Sequence, residues 1–340
     1  MWRTRRVTAG LAIAAVGAMT VAGCAQDSSA GGDGLSIGYV VNFGSHEWYQ
    51  NVIKGAEETA EAEGLDFEWA DANVDLSKQI TQAENMLTQG VDVLMMSPVD
   101  PDGLSSVMTQ AMEKDVPVIT ESNPVPDNAT TVGIANLDAA RQLGAWTGDY
   151  ITEELGGPAK ILIVGLPTQV DTRDRVEGFK QGLEDSGADY EIVQEVNGGG
   201  LKDVALDVSA DAITAHPEIN MIFGINDDSA LGGTQAYQQA GLDMNQLTTI
   251  GFGVEGRAGK SALTGDGPYQ AGLAMFPEYV GRALVEQAQA AASGEDVDQR
   301  TVTPATVVTA DNLGDYYTKN GEDWEIDFDA VAALLDEEQQ

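Results

Sequence analysis

The sequence predicts an α/β fold of two doubly wound parallel-sheet lobes. Three observations predict it. From Leu35 onward, short apolar runs alternate with longer amphipathic stretches of helical period, the pattern of strand, helix and parallel strand. That alternation runs through twice, in two series of similar length. The chain has 340 residues, room for about two ordinary domains with cores of their own.

In the first series, residues 35–41 read as a strand, 47–63 as a helix and 65–70 as a second strand. Residues 76–89 form a helix that carries Ile80, Ala83, Met86 and Leu87 on one face. Strands at 91–96, 116–120 and 131–134 complete one sheet. A helix at 139–154 leads into the second series, with strands at 160–165, 190–196, 221–225 and 248–252 alternating with helices at 172–186, 202–215 and 229–240. A further strand at 269–274 precedes Pro277 and a long Ala-rich helix to Ala292. Two such sheets in tandem imply two facing lobes, with a ligand cleft at the carboxyl ends of the strands. Beyond Thr318 the chain is acidic and weakly periodic, and Trp324, Ile326 and Phe328 read as one short docking strand.

The amino-terminal segment carries a different signal. Arg3, Arg5 and Arg6 precede an apolar stretch at 7–23 that is rich in Ala and Gly, the build of an export signal. It is shorter and less apolar than the roughly 20 residues that span a bilayer. It ends in Val21-Ala22-Gly23-Cys24, which resembles the lipobox of bacterial lipoproteins. Residues 1–23 are thus expected to be a signal peptide and Cys24 to carry lipid. Cys24 is the only cysteine, so the chain has no intramolecular disulfide. Residues 24–34 then read as the lipidated Cys and a Gly/Ser-rich tether, whose span is roughly 20 Å. The expected location is the outer face of the cell membrane.

Fifty-five acidic residues against 17 Lys and Arg give a net charge of -38. Such a surface repels phosphate backbones, which argues against nucleic acid as a partner. Catalytic motifs are scarce: two histidines far apart in sequence, no H-E-x-x-H and no G-x-S-x-G. Neither a catalytic residue nor a metal site is expected, and the chain is not read as an enzyme. Gly251-Phe252-Gly253-Val254-Glu255-Gly256 matches a dinucleotide fingerprint, but it lies late in the chain without the usual acidic partner, so no cofactor is expected. Asp71-Ala72-Asn73-Val74-Asp75 begins like a calcium loop, yet Leu76 and Gln82 stand where Gly and Glu belong. A strand end and helix cap is the better reading.

Phe43, His46, Trp48 and Tyr49 cluster after the first strand, where aromatic faces border a cleft or simply cover the core. Thr172-Arg173-Asp174-Arg175 places guanidinium groups at the equivalent loop of the second lobe, either for paired hydrogen bonds to a polar ligand or for surface ion pairs with Asp171 or Asp174.

These residues resemble the type I periplasmic binding proteins, in particular the ribose-binding class, over roughly residues 35–308. The resemblance is carried by Ile37-Gly38-Tyr39-Val40-Val41 through Gly55, Gly90-Val91-Asp92-Val93-Leu94 with Ser97-Pro98, and Pro117-Val118-Ile119-Thr120. It continues in Arg173-Asp174-Arg175-Val176-Glu177-Gly178-Phe179, Asn226-Asp227-Asp228-Ser229-Ala230-Leu231-Gly232 and Gly251-Phe252. It implies a three-strand hinge near Asn136, Met275 to Pro277 and Thr303 to Ala305. The lobes then comprise 35–136 with 276–303, and 137–275 with 304–340. It also implies a monomeric binding component of an ABC importer, which closes on a sugar or polyol and delivers it to a permease with its ATPase.

The family's sugar contacts carry over to Asn42, His46, Trp48 and Tyr49 in the first lobe, and to Arg173 and Asn226 in the second. Ser97 and Asn136 join them. Departures fall at Ser122 and Asn123, where ribose binders have Asp-Arg, at Gly253 in place of Asp, and at Met275 in place of Gln. They imply a site less polar than one for ribose, and a pentose, hexose, deoxy sugar, polyol or other small metabolite as ligand. A receptor for signalling or chemotaxis, or an autoinducer binder, has the same clamshell. A LacI-type regulator does too, but begins with a helix-turn-helix in place of an export signal.

Overall fold

A computed structural model describes residues 34–337. Residues 1–33, where a signal peptide, the lipidated Cys24 and most of a tether are expected, lie outside the described residues. Within them, no helix is long and apolar enough to cross a membrane, and no group of three His, Cys, Asp or Glu is placed to hold a metal.

The first sheet is built from β1 (Ser36–Val41), β2 (Asp66–Asp71), β3 (Val93–Met96), β4 (Val118–Glu121) and β5 (Thr130–Gly133), with α1 (Glu47–Glu63), α2 (Leu76–Gln89) and α3 (Ser105–Glu113) between strands. Next come α4 (Asn136–Tyr150), β6 (Ala159–Gly165), α5 (Val170–Ser186), β7 (Tyr190–Asn197), α6 (Lys202–Ala215), β8 (Met221–Gly224), α7 (Asp227–Gln239), β9 (Thr248–Gly253), α8 (Arg257–Leu263) and β10 (Tyr269–Ala274). The chain continues through α9 (Pro277–Ala292), β11 (Arg300–Val302) and β12 (Thr306–Val308), and ends in β13 (Tyr317–Asn320), β14 (Asp323–Ile326) and α10 (Phe328–Glu337).

Strand order is β11-β5-β4-β3-β1-β2 in one sheet and β12-β10-β9-β8-β6-β7 in the other. Leaving out β11 and β12, both follow the doubly wound order 2-1-3-4-5. All pairings within these two sheets are parallel except β10 with β12. Strands covered by helices on both faces read as continuous apolar runs. Thus Val93, Leu94, Met95 and Met96 of β3 are all fully buried, whereas β2, at a sheet edge, is largely exposed.

The chain passes between the sheets after β5, after β10 and between β11 and β12. Helices follow the exchange. α4 leaves the first sheet and packs on α5, while α9 leaves the second and packs on α1. Glycines allow both approaches. A Cβ on Gly55 would lie 2.0 Å from the Glu278 carbonyl oxygen, one on Gly281 2.0 Å from that of Val52, and one on Gly144 2.2 Å from that of Phe179.

One sequence expectation changes here and another holds. The tail forms a hairpin, β13 with β14, and a helix that starts at Phe328, rather than one strand through Phe328. The Phe328 ring meets Tyr279 and Arg282 of α9, and Glu322 and Asp323 pair with Arg257 of α8. The loop at 71–75 is the strand end and cap expected: Asp75 accepts a hydrogen bond from the Lys78 amide at 3.0 Å.

Candidate functional site

A cavity of about 270 Å3 opens where the carboxyl ends of the two sheets face each other. This is just below the roughly 300 to 1,000 Å3 common for small-molecule sites. The turn from β1 into α1 supplies Asn42, Phe43, His46, Trp48 and Tyr49. His46 caps α1, its Nδ1 accepting from the Trp48 amide at 3.2 Å. That bond leaves the ring proton on Nε2, which lies 4.0 Å from Asp228 across the cleft; burial lowers the His46 pKa, favouring the neutral ring. Phe43 and His46 have ring centroids 6.0 Å apart, and His46 and Tyr49 6.4 Å, forming an aromatic wall with polar edges.

Behind Trp48 sits Glu121, at the end of β4. It accepts from Trp48 Nε1 at 3.3 Å and from the Ser122 hydroxyl. Burial pushes its carboxyl up to about 7.

The second sheet contributes Arg175. Its Nε donates to Asn136 Oδ1 at 2.8 Å and its Nη1 to the Ile225 carbonyl at 3.0 Å. Its Nη2 lies 3.8 Å from Asp171, and the guanidinium carbon sits 4.7 Å from the centroid of Phe252. Asp171, Thr172 and Arg175 face the cavity from α5, opposite Asn42 and Tyr49.

Glu255 enters from the turn after β9. Gly253 (φ 133) and Val254 (φ 46) both adopt positive φ there, a strained choice for a β-branched residue. The Asp227 carboxylate holds the kink, accepting from the amides of Val254 at 3.3 Å and Glu255 at 2.9 Å, while Tyr269 donates its hydroxyl to Asp227 at 2.8 Å. The Glu255 carbonyl also accepts from Asn51 Nδ2 at 2.6 Å. Asn51 is on α1, so this bond joins the two sides of the cleft.

Of the residues expected to bind ligand, Asn42, His46, Trp48, Tyr49, Ser122, Asn226 and Met275 line the cavity. Asn226 is largely occupied, accepting from the Ser229 amide and donating to the Gly200 carbonyl, both at 2.9 Å. The others stand off it. Ser97 is fully buried against the Tyr39 hydroxyl. Asn123 continues the β4 turn outside the lining, Asn136 holds Arg175 from behind, and Gly253 serves the kink.

Arg173 points outward and donates to the Pro167 carbonyl at 3.1 Å. The cleft arginine is Arg175, because a helix brings residues 172, 175 and 179 to one face. The site is also more charged than expected, since Asp171, Arg175 and Glu255 line it. Glu255 escaped the sequence reading because its run was weighed only as a nucleotide fingerprint. The signal for Arg175 was the helical phase it shares with Phe179, and that for Glu255 was an acid two residues beyond Gly253.

A family model described as a periplasmic binding protein domain matches residues 37–296. Among curated relatives, the ribose import binding protein of Escherichia coli is 26% identical over 266 residues, covering 78% of this chain and 87% of the relative. The xylitol-binding protein of Mycolicibacterium smegmatis is 27% identical over 323 residues, covering 91% and 87%. Among solved structures, a Mycobacterium smegmatis protein in complex with β-D-fucofuranose superposes with a TM-score of 0.73 at 26% identity, covering 90% of this chain and 95% of that one.

Proposed function

We propose, from the premise that this chain belongs to the periplasmic binding protein domain family, that it captures one small sugar or polyol between its sheets for an ABC importer. The observation that carries this reading is the cavity between the facing strand ends, walled by aromatic rings on one side and by a guanidinium and carboxylates on the other. Aromatic faces suit the C–H surface of a sugar ring, and charged groups suit its hydroxyls. Relatives named for ribose and xylitol support the ligand class.

In this reading the lobes are residues 35–136 with 276–303, and 137–275 with 304–340. They open and close about the three crossings, and Asn51 with Glu255 helps hold the closed form. Ligand bridges both sides and so favours closure, the state a permease with its ATPase recognises. Asn42, His46, Trp48, Tyr49 and Ser122 contact ligand from one side, and Arg175, Asn226 and Met275 from the other. The protein works as a monomer outside the cytoplasmic membrane, held there by lipid on Cys24.

Calorimetric titration of the chain, purified in a mild detergent, tests this against pentoses, hexoses, deoxy sugars, polyols, amino acids and nucleosides. One carbohydrate should bind at one site per chain with a Kd in the micromolar range or tighter. Binding confined to amino acids or nucleosides would overturn the carbohydrate reading.

A further inference from the structure

Glu121 is the last residue of β4 and is only 1% exposed. It stands outside the cavity lining, yet the two side chains bonded to it, Trp48 and Ser122, both belong to that lining. One carboxyl oxygen, Oε1, accepts from Trp48 Nε1 at 3.3 Å and from the Ser122 hydroxyl. An indole has one donor and no acceptor, so this bond is the one directional anchor of the Trp48 ring.

Ser122 is held from its backbone as well. It adopts positive φ (59), an uncommon conformation for a residue other than glycine, and its amide donates to the Val132 carbonyl at 2.9 Å. With its hydroxyl proton committed to Glu121, Ser122 has only oxygen lone pairs to offer the cavity. A ligand group that meets it has to be a donor, as a sugar hydroxyl is.

We propose that Glu121 is a positioning residue for ligand binding: from behind the wall it sets the angle of the Trp48 ring and makes Ser122 an acceptor. What matters is the accepting oxygen, which a carboxylate, a carboxylic acid protonated on its other oxygen and an amide all supply. Glu121→Gln therefore keeps the arrangement, whereas Glu121→Leu leaves a buried N–H and a hydroxyl without their partner. The proposal takes the cavity as the binding site from the function proposed above and deepens that reading.

The indole N–H of Trp48 tests it without any ligand. In 1H–15N spectra of the chain, Trp48 is the indole signal lost in Trp48→Phe. That N–H should exchange with solvent slowly in the native chain and in Glu121→Gln, and about tenfold or more faster in Glu121→Leu, with the signals of Trp69, Trp146 and Trp324 in place. Should Glu121→Leu fail to fold, the pH course of the same signal decides: it should shift as pH crosses about 7 in the native chain and not in Glu121→Gln. Tyr39, Tyr49 and Asp171 act on the charge of Glu121, and His46 caps the Trp48 amide; a step that remains in Glu121→Gln belongs to one of these and overturns the proposal.

Calorimetric titration at about pH 6, below the value of about 7 for Glu121, reads the consequence for binding. Its probes are the carbohydrates tested above, D-ribose, D-galactose, D-fucose and xylitol among them. One that binds the native chain should bind Glu121→Gln within about threefold and Glu121→Leu about tenfold or more weakly. An unmoved Trp48 signal in Glu121→Leu, equal affinity in all three proteins, or Glu121→Gln as weak as Glu121→Leu overturns the proposal and leaves the carbohydrate reading standing. Binding confined to amino acids or nucleosides overturns the carbohydrate reading, and the indole signal then decides the role of Glu121 by itself.

Discussion

Arg173 and Arg175 lie two residues apart on α5, and only the second reaches the cavity. The run that contains them was legible in the sequence, whereas the choice between them was not, because it depends on which face of α5 meets β8 and β9. Trp48 shows a related limit. It lines the cavity and is also 9% exposed within the core, so its loss affects folding as well as binding.

Glu121 carries a prediction at this scale. Burial raises its carboxyl from 4.5 to about 7, so between those values the folded chain holds a proton that the unfolded chain has released. This contribution to stability is full below about pH 4.5 and is lost as pH rises to about 7. Chemical denaturation across that window should show stability falling less steeply in Glu121→Gln than in the native chain; equal slopes would show that the carboxyl is not buried as described.

Strands and long helices were legible because their periods are sustained. α1, α2, α6 and α9 begin and end where apolar spacing and Gly or Pro place them. α3 and α8, of 9 and 7 residues, span only about two and a half turns and two turns, too few for a sustained apolar period, and went unread. The tail was misread because its period changes within a few residues, from hairpin to helix.

Helix packing yields the prediction at this scale. In Gly55→Ala the new methyl meets the Glu278 carbonyl where α1 crosses α9, and overpacking of this kind costs about 1 to 3 kcal/mol. Gly157→Ala, which meets nothing within 4 Å, is the control. The melting temperature should fall by several degrees in the first and stay near the native value in the second. Equal melting temperatures would mean that α1 and α9 are not in backbone contact.

At the scale of the molecule, two copies of one topology face each other across strand ends, and each lends a helix to the other. The twofold α/β series was plain in the sequence, and the fold class followed from it. Which side chains line the space between the sheets was only half legible, since that depends on helix phase and on the strained turn at Val254. The acidic surface, with a net charge of -38, is a separate matter from the site, where charge is placed residue by residue.

The central claim is that this cavity holds a small carbohydrate. A thermal-shift screen of the native chain and Arg175→Ala, against sugars, amino sugars, polyols, amino acids and nucleosides, tests it most directly. Each protein is read against its own ligand-free baseline, because losing Arg175 unpairs Asn136 and Ile225. Ligand that binds only the folded state raises the melting temperature by mass action. The account predicts a rise of several degrees with a carbohydrate in the native chain and little or none in Arg175→Ala. An undiminished rise in the variant, or a native response only to amino acids or nucleosides, would contradict it.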